Sequence, residues 1–269
     1  MRRLLLPPRR LILRKSRTVL CLLLAAACVP LLHAQATVRV AAAADLQPVL
    51  PPIFAEFQRQ TGIRAAATYK SSAVLTTQIL NGAPFDLFLS ADLGYPQRLI
   101  AAGLADSAAP TIYAQGTLVL WTRKDSHLPP PSIELLRSPA LKTLAIADPH
   151  QAPYGRAAIA TLKSLGLYQS LEPHIVTAEN ISQAAQFVES GNAQAGLISL
   201  TSALTPALSS VGTYFVIPRH LYPPIEQGAA VVKNSAHRGA AHKLLDFILS
   251  APVQAEIARR GLTPTNSEK

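Results

Sequence analysis

Four short polar segments are the places where this sequence could do chemistry, because each stands between a predicted strand and a predicted helix. Such junctions line the crevice at the carboxyl ends of the strands in a parallel α/β sheet. Each helix start offers N–H groups without a partner and the positive end of a dipole. Several helix starts directed at one point can bind a small anion without any lysine or arginine. The segments are Ala43-Ala44-Asp45, Ser71-Ser72, Pro153-Tyr154-Gly155 and Glu179-Asn180-Ile181.

The common signatures of nucleotide sites and hydrolytic active sites are missing from the sequence. It contains no G-x-x-x-x-G-K-[ST], G-x-G-x-x-G, G-x-S-x-G or H-E-x-x-H. The seven histidines show no spacing typical of a metal site. Asp86, Asp92 and Asp148 lie at the ends of predicted strands, and we interpret them as caps and turn residues rather than catalytic acids. We therefore predict no catalytic residue, no free metal cation and no cofactor.

The strong positive charge of the chain is confined to its N-terminus. The formal net charge is +10, but residues 1–36 carry seven of the 25 cations and no acid, which leaves 18 cations against 15 acids. A basic protein is expected to bind nucleic acid or a membrane surface. Because the remainder is close to neutral, we predict neither partner.

Residues 1–36 have the pattern of a secretory signal peptide. A basic stretch ends at Arg17, residues 19–32 are apolar, and small residues up to Ala36 suit a cleavage point. The apolar run is short of the roughly 20 residues that span a bilayer. A retained anchor and a lipoprotein lipidated on Cys28 are the alternatives. Since Cys21 and Cys28 both lie in this leader, the predicted mature chain has no thiol and no disulfide.

An alternation of strands and helices must position the four segments. Residues 37–43 are predicted to form a buried parallel strand. Apolar residues then recur with helical spacing from Leu50 to Phe57, and Asp45 is the predicted N-cap of this helix. The alternation predicts a parallel α/β sheet covered on both faces, and its restart after residue 115 predicts two lobes with a cleft between them. Other strands are predicted at 63–69, 85–89, 116–122, 142–147 and 195–200, and helices at 155–165, 181–189, 240–249 and 253–260.

At these junctions the sequence resembles the periplasmic molybdate-binding proteins of ABC transporters. The stretch N-G-A-P-F-D-L-F-L-S-A-D is specific, and its combination with P-Y-G-R-A-A and E-N-I-S makes the resemblance strong. The matching segments follow the family's order and span nearly the whole predicted mature chain. They are residues 40–46, 69–92, 144–158, 177–196 and 222–231.

The resemblance implies an α/β type II periplasmic-binding fold, in which two α/β lobes close on an anion in the cleft. Lobe I would contain residues 37–118 together with the returning residues 218–269, and lobe II would contain residues 119–217. The anion would be molybdate, and also tungstate. A monomeric periplasmic protein would deliver it to an inner-membrane ABC permease, with no nucleic acid partner.

The family's ligand positions fall on the same four junctions. By the resemblance, Ser72 would give its hydroxyl and its N–H, while Tyr154 and Ile181 would give backbone N–H groups. Asp45, together with Ala44, would give N–H groups from the first loop. These groups would surround the molybdate oxyanion, so no residue would bind a free metal ion.

Two positions depart from the family's pattern. Well-known members have serine, or threonine and asparagine, where Ala44 and Asp45 stand. An ionised Asp45 would repel a dianion by a few kcal/mol at about 4 Å. We expect Asp45 to turn its carboxylate onto N–H groups of its own helix and to offer only its N–H; otherwise the ligand differs. Ser199 stands where some members use a tyrosine hydroxyl, and its shorter side chain would bind through water or not at all.

Other functions stay open beside molybdate or tungstate binding. A protonated phosphate, or arsenate, would use Asp45 as an acceptor. A small organic acid normally needs an arginine clamp, and only Arg156 lies near a junction. A secreted enzyme would need a nucleophile and base, which the sequence does not reveal. A sensory module would bind the same oxyanion on behalf of a different partner.

Overall fold

The computed structural model describes residues 37–265. The predicted signal peptide, its cleavage near Ala36 and the alternative lipidation of Cys28 lie outside the described residues. No helix between residues 37 and 265 is both long enough and apolar enough to cross a membrane.

Short apolar strands form the framework of the described chain. The first of them is buried along most of its length, which is typical of a strand covered on both faces. The strands are β1 (Thr37–Ala43), β2 (Arg64–Lys70), β3 (Leu87–Ser90), β4 (Thr111–Gly116), β5 (Leu118–Arg123), β6 (Leu144–Ala147), β7 (Ile175–Ala178), β8 (Ala195–Ser199), β9 (Gly212–Val216), β10 (Ile225–Val231) and β11 (Thr263–Pro264).

Amphipathic helices alternate with these strands and cover the sheets. Short 3-10 helices at Ala44–Leu46, Glu134–Arg137, Glu172–His174 and Arg219–Leu221 complete the regular structure of residues 37–265. The α-helices are α1 (Leu50–Thr61), α2 (Ser72–Leu80), α3 (Gly94–Ala101), α4 (Pro153–Ser164), α5 (Tyr168–Leu171), α6 (Ile181–Glu189), α7 (Leu200–Ala203), α8 (Pro206–Val211), α9 (Arg238–Leu249) and α10 (Ala251–Arg259).

The strands form two sheets, one from each half of the fold. The first has the order β11-β4-β10-β3-β1-β2, and the second has the order β7-β6-β8-β5-β9. Both contain parallel pairs, β1 with β2 and β3 in the first and β6 with β7 and β8 in the second. The predicted α/β class with two lobes is therefore confirmed. The exact lobe boundaries stay a prediction.

The predicted parallel sheet is confirmed only for these pairs, because both sheets also contain antiparallel strands. In the first, β10 runs antiparallel to β3 and β4, and in the second, β5 runs antiparallel to β8 and β9. The chain leaves the first sheet after Gly116, enters the second at Leu118, and returns through residues 217–224. A strand that enters a sheet from the other lobe needs no helical crossover, so it can pair in the antiparallel direction. The single strand predicted at 116–122 is in fact divided between β4 and β5.

The apolar core of the second sheet extends to the edge of the first. Ala43, Ala44 and Ala91 belong to the same buried cluster as the residues around Trp121. Alanines at these positions let the backbones of the two lobes approach closely. The two lobes are thus in contact across the cleft.

The predicted N-cap at Asp45 is wrong. Asp45 lies inside the 3-10 turn Ala44–Leu46, and α1 begins only at Leu50. Pro51 and Pro52 occupy the first turn of α1, where a missing N–H costs nothing and the fixed φ favours a helix start. The predicted apolar face of this helix is confirmed, since Leu50, Ile53, Phe54 and Phe57 are all buried.

Candidate functional site

Four chain segments converge on one small cavity between the two sheets. Helices α2, α4 and α6 begin at its wall, and the carboxyl end of β1 forms the remaining side. The cavity has a volume of about 10 Å³, which admits one water molecule. Its lining residues are Ala43, Ala44, Asp45, Ser71, Ser72, Ala91, Ala152, Pro153, Tyr154, Asn180 and Ile181.

Ser72 is the first residue of α2 and is buried. Its Oγ accepts a hydrogen bond from the N–H of Ala91 at 3.1 Å, which leaves the hydroxyl hydrogen for another acceptor. The N–H of Ser72 precedes the helical ladder and has no helical partner. The next N–H group, that of Ala73, is already bound to the carbonyl oxygen of Gln151 at 3.2 Å. Ser72 therefore offers one O–H and one N–H to a group in the cavity.

Tyr154 is the second residue of α4. Pro153 precedes it and has no N–H, so the N–H of Tyr154 is the first that this helix can offer. The phenol of Tyr154 is buried and donates to Oδ2 of Asp45 at 3.1 Å. Burial, and then the neighbouring Asp45, raise the pKa of Tyr154 well above its usual value, so this phenol is a neutral donor. Tyr154 thus combines a free backbone donor with a side chain that reaches the other lobe.

Asn180 caps α6 and determines which N–H of this helix stays available. Its Oδ1 accepts from the N–H groups of Ser182 at 3.0 Å and Gln183 at 3.1 Å. The N–H of Ala184 bonds to the carbonyl oxygen of Asn180. In the first turn of α6 this leaves the N–H of Ile181, next to the cavity. The cap was not predicted from the sequence, although asparagine is a preferred N-cap residue.

Asp45 is fully buried, and its carboxylate bonds mainly to side chains of other elements. Oδ2 accepts hydrogen bonds from the phenol of Tyr154 and the side-chain amide of Gln227. Oδ1 has no hydrogen-bond partner among the described residues. Burial raises the pKa of Asp45 to about 6, against the opposing effect of the bonds from Gln227 and Tyr154 and of its own backbone N–H. The expectation that this carboxylate turns onto its own helix is therefore wrong, because two donors from elsewhere in the fold bind it.

Ser199 does not line the cavity. It caps α7, where its Oγ accepts from the N–H of Ser202 at 3.3 Å and lies 2.9 Å from the hydroxyl oxygen of Thr201. The hydroxyl of Thr201 also lies 2.8 Å from the carbonyl oxygen of Asp45, to which it can donate. Ser199 thus lies next to Thr201, which in turn contacts the lining residue Asp45. A ligand role for Ser199 stays a prediction.

Three more polar contacts join the two lobes beside the cavity, in addition to those made by Ala73, Tyr154 and Thr201. Arg156 of α4 forms an ion pair with Asp92, which follows β3, and also contacts the ring and hydroxyl of Tyr95. Lys70 lies 3.9 Å from Glu179. In the third contact, the hydroxyl of Ser182 donates to the carbonyl oxygen of Ala44 at 2.8 Å. Because each contact bridges the lobes, all three favour the closed arrangement.

Two residues at the site were not among the predicted ligand residues, although Ser71 belongs to one of the four predicted junctions. Ser71 lines the cavity, and its buried hydroxyl has no partner among the described residues. Gln227 of β10 is fully buried beneath Asp45. A glutamine directly before the apolar residues 228–231 of β10 was the available signal for Gln227, because a buried amide needs a polar partner. Nothing in the sequence distinguished Ser71 from an ordinary N-cap.

The arrangement can hold a small anion, since helix N-termini from both lobes offer N–H groups at one point. Neither lysine, arginine nor histidine appears among the lining residues of the described chain. Within residues 37–265, no three histidine, cysteine, aspartate or glutamate side chains gather as they would around a metal ion. The donors are therefore neutral hydroxyl and N–H groups, which suit an oxyanion.

Known proteins share both the sequence and the fold. The bacterial extracellular solute-binding protein family matches residues 38–263. The chain is 37% identical to the molybdate-binding protein ModA of Rhodobacter capsulatus, over 92% of this chain and 95% of the relative. It is 34% identical to ModA of Azotobacter vinelandii, over 83% and 88% of the two chains.

The solved structure of the Azotobacter vinelandii periplasmic molybdate-binding protein superposes with a TM-score of 0.79. It is 31% identical in sequence and covers 84% of this chain and 98% of its own. These relatives are solute-binding proteins rather than enzymes. The sequence match, the shared two-lobed fold and the anion-binding geometry agree, and the chain belongs to the bacterial extracellular solute-binding proteins, with molybdate-binding proteins of the ModA type among its relatives.

Proposed function

We propose that this protein binds a tetrahedral oxyanion, molybdate or tungstate, in the cavity between its lobes. The observation that carries the proposal is the convergence of three helix N-termini and the end of β1 on one point that no described cationic side chain lines. A dianion there exchanges its hydration shell for N–H and O–H donors and keeps its charge. Molybdate and tungstate share shape and charge, so these donors do not distinguish between them. The names of the relatives support molybdate.

The same proposal assigns the protein to transport. It would be exported to the periplasm and act there as a monomer, passing its anion to an inner-membrane ABC permease that recognises the closed lobes. It would work by binding alone, without catalysis and without a resident cofactor. The solute-binding family supports this role. The proposed ligand residues are Ala44, Asp45, Ser72, Tyr154 and Ile181.

Titration calorimetry of the purified protein with molybdate, tungstate, sulfate and phosphate tests the binding proposal. We expect tight one-to-one binding of the first two, and about tenfold or greater weakening in Ser72→Ala, because a hydrogen bond to a charged group contributes about 1.5–3 kcal/mol. Ser170→Ala is the matched control, because the Ser170 hydroxyl of α5 donates to the carbonyl oxygen of Leu167 away from the cavity, and the substitution is expected to leave the affinity unchanged. Binding of phosphate alone, or of none of the four anions, would contradict the proposal.

The ion pair across the cleft is expected to slow the release of the anion. In Arg156→Ala the lobes lose the bond to Asp92 and the contact with the ring of Tyr95. A partly exposed ion pair is worth about 0.2–1 kcal/mol, and a cation–π contact about 0.5–1 kcal/mol. We therefore expect the dissociation rate of molybdate to rise about 3- to 30-fold in stopped-flow measurements. Arg137→Ala, which removes an arginine bonded to the carbonyl oxygen of Leu165, is the control; equal rates in both variants would show that the ion pair has no such role.

A further inference from the structure

Asp45 presents an unused acceptor at the proposed anion site. Asp45 lines the cavity and is fully buried, yet its Oδ1 has no hydrogen-bond partner among the described residues. Buried carboxylate oxygens are almost always hydrogen-bonded, because the charge is costly to remove from water without donors. A carboxylate oxygen that has no donor beside a ligand cavity indicates that its hydrogen-bond partner arrives when the ligand binds.

The groups around Asp45 leave only Oδ1 for that partner. Oδ2 already accepts from Tyr154 of α4 and from Gln227 of β10. Tyr113 of β4 is the other titratable group that faces it, and burial, with the proximity of Asp45, raises its pKa well above the usual value. Both phenols are therefore neutral. From α7, Thr201 reaches only the carbonyl oxygen of Asp45.

No described cation compensates a negative charge on Asp45. The charged side chains next to the lining segments are already paired with each other, Lys70 with Glu179 and Arg156 with Asp92. No lysine, arginine or histidine of residues 37–265 bonds to the carboxylate of Asp45. Burial without a cation raises its pKa to about 6, so the carboxyl accepts a proton more readily than an ordinary aspartate does.

A bound dianion would increase this demand for a proton. An ionised Oδ1 and an oxyanion oxygen are both acceptors, so together they would repel each other and leave no hydrogen between them. One proton changes the contact into a hydrogen bond, O–H···O⁻, of the strong charge-assisted kind. The proton comes from solvent, and no other bond forms or breaks.

We propose that the protein binds its oxyanion together with one proton, which lies between Oδ1 of Asp45 and an oxygen of the anion. This inference rests on the proposed function, since it requires an oxyanion in the cavity. Asp45 then decides how the affinity depends on pH. Below the pKa of the free protein the carboxyl is already protonated, and affinity is constant. Above it, each pH unit lowers the affinity about tenfold, because the proton must be taken up on binding.

Calorimetric titration of the wild-type protein with sodium molybdate measures this proton directly. At pH 7.5, a range in which dilute molybdate stays a dianion, the titration is repeated in two buffers that differ in ionisation enthalpy. We expect the observed enthalpy to change with the buffer by an amount equal to the uptake of nearly one proton per anion. Between about pH 6 and pH 8 we expect the dissociation constant to rise on the order of 50-fold.

Asp45→Asn keeps the shape of the side chain and replaces the protonated oxygen by an amide that needs no proton. We expect this variant to bind molybdate with no proton uptake and with an affinity that is constant between pH 6 and pH 8. Asp106→Asn is the matched control, because Asp106 is an aspartate paired with His242 and Arg238 away from the cavity. It is expected to retain the wild-type proton uptake.

The outcomes separate this inference from the proposed function. If the wild type binds molybdate with the same enthalpy in both buffers and the same affinity at both pH values, the proton inference is wrong and the oxyanion site stands. If Asp45→Asn still takes up a proton, another group carries it and the assignment to Asp45 is wrong. If the wild type binds no molybdate even at pH 6, the proposed function itself fails. The wild-type experiment decides the proton question even if the variant does not fold.

Discussion

Replacing Ile181 by proline is expected to weaken molybdate binding about 10- to 150-fold while leaving the fold intact. In the proposed complex the N–H of Ile181 donates to the anion, and proline has no N–H to donate. A hydrogen bond to a charged group contributes about 1.5–3 kcal/mol, which corresponds to this range of affinities. Calorimetric titration measures the affinity, and thermal unfolding shows whether the fold is retained.

The local backbone makes this substitution possible. Ile181 is the first residue of α6, the position at which proline is favoured and its missing N–H has no helical role. Asn180 before it is extended, with φ −153° and ψ 174°, as a residue that precedes proline must be. The cap bonds to Ser182 and Gln183 do not involve the N–H of Ile181. The variant therefore removes the donor and shortens a buried side chain.

Ile181→Ala separates these two effects, because alanine keeps the N–H and removes more of the side chain. We expect it to lower the melting temperature and to change the affinity only a few-fold. Equal loss of affinity in the alanine and proline variants would show that packing, rather than the N–H donor, connects Ile181 to binding.

Gly155→Ala is expected to lower both stability and affinity. A Cβ at this position would lie 2.8 Å from the carbonyl carbons of Ala147 and Asp148, and closer still to the carbonyl oxygen of Ala147. Because these are backbone atoms, they cannot move aside, and the start of α4 must shift. Overpacking of this kind costs about 1–3 kcal/mol. The shift also moves the N–H of Tyr154, so we expect at least tenfold weaker molybdate binding.

Gly239→Ala is the matched control in thermal unfolding and calorimetric titration. Gly239 lies near the start of α9, and a Cβ there meets no other atom within 4 Å. Alanine is favoured over glycine in a helix, so this variant is expected to keep or raise the melting temperature and to keep the affinity. Wild-type affinity and stability in Gly155→Ala would show that α4 can shift without disturbing the site.

The sequence carried enough information for the main elements of the fold. The apolar spacing in residues 181–189 predicted a helix that buries Ile181, Ala184 and Val188, and the structure buries all three. Such predictions succeed because helical periodicity depends only on residues close in the chain. The segments with specific motifs also indicated the family.

The pairing directions and strand ends were beyond the sequence pattern. The strand predicted at 116–122 is interrupted at Thr117, where the chain crosses between sheets. Which strands run antiparallel depends on the route of the chain from one lobe to the other, and local periodicity does not record that route. The position of Asp45 in a 3-10 turn was missed because Pro51 and Pro52 move the helix start to Leu50.

The sequence by itself determined the four polar junctions, the leader-like basicity of residues 1–36 and the membership of the solute-binding family. Local patterns and motifs suffice for these features. Only the tertiary structure placed Gln227 and Tyr154 against Asp45, although they lie 182 and 109 residues away in the chain. Only the tertiary structure, too, left one oxygen of Asp45 without a donor and Ser199 outside the lining of the cavity. Burial and hydrogen bonding at such separations depend on how the two lobes close, and a sequence pattern contains no distance between them.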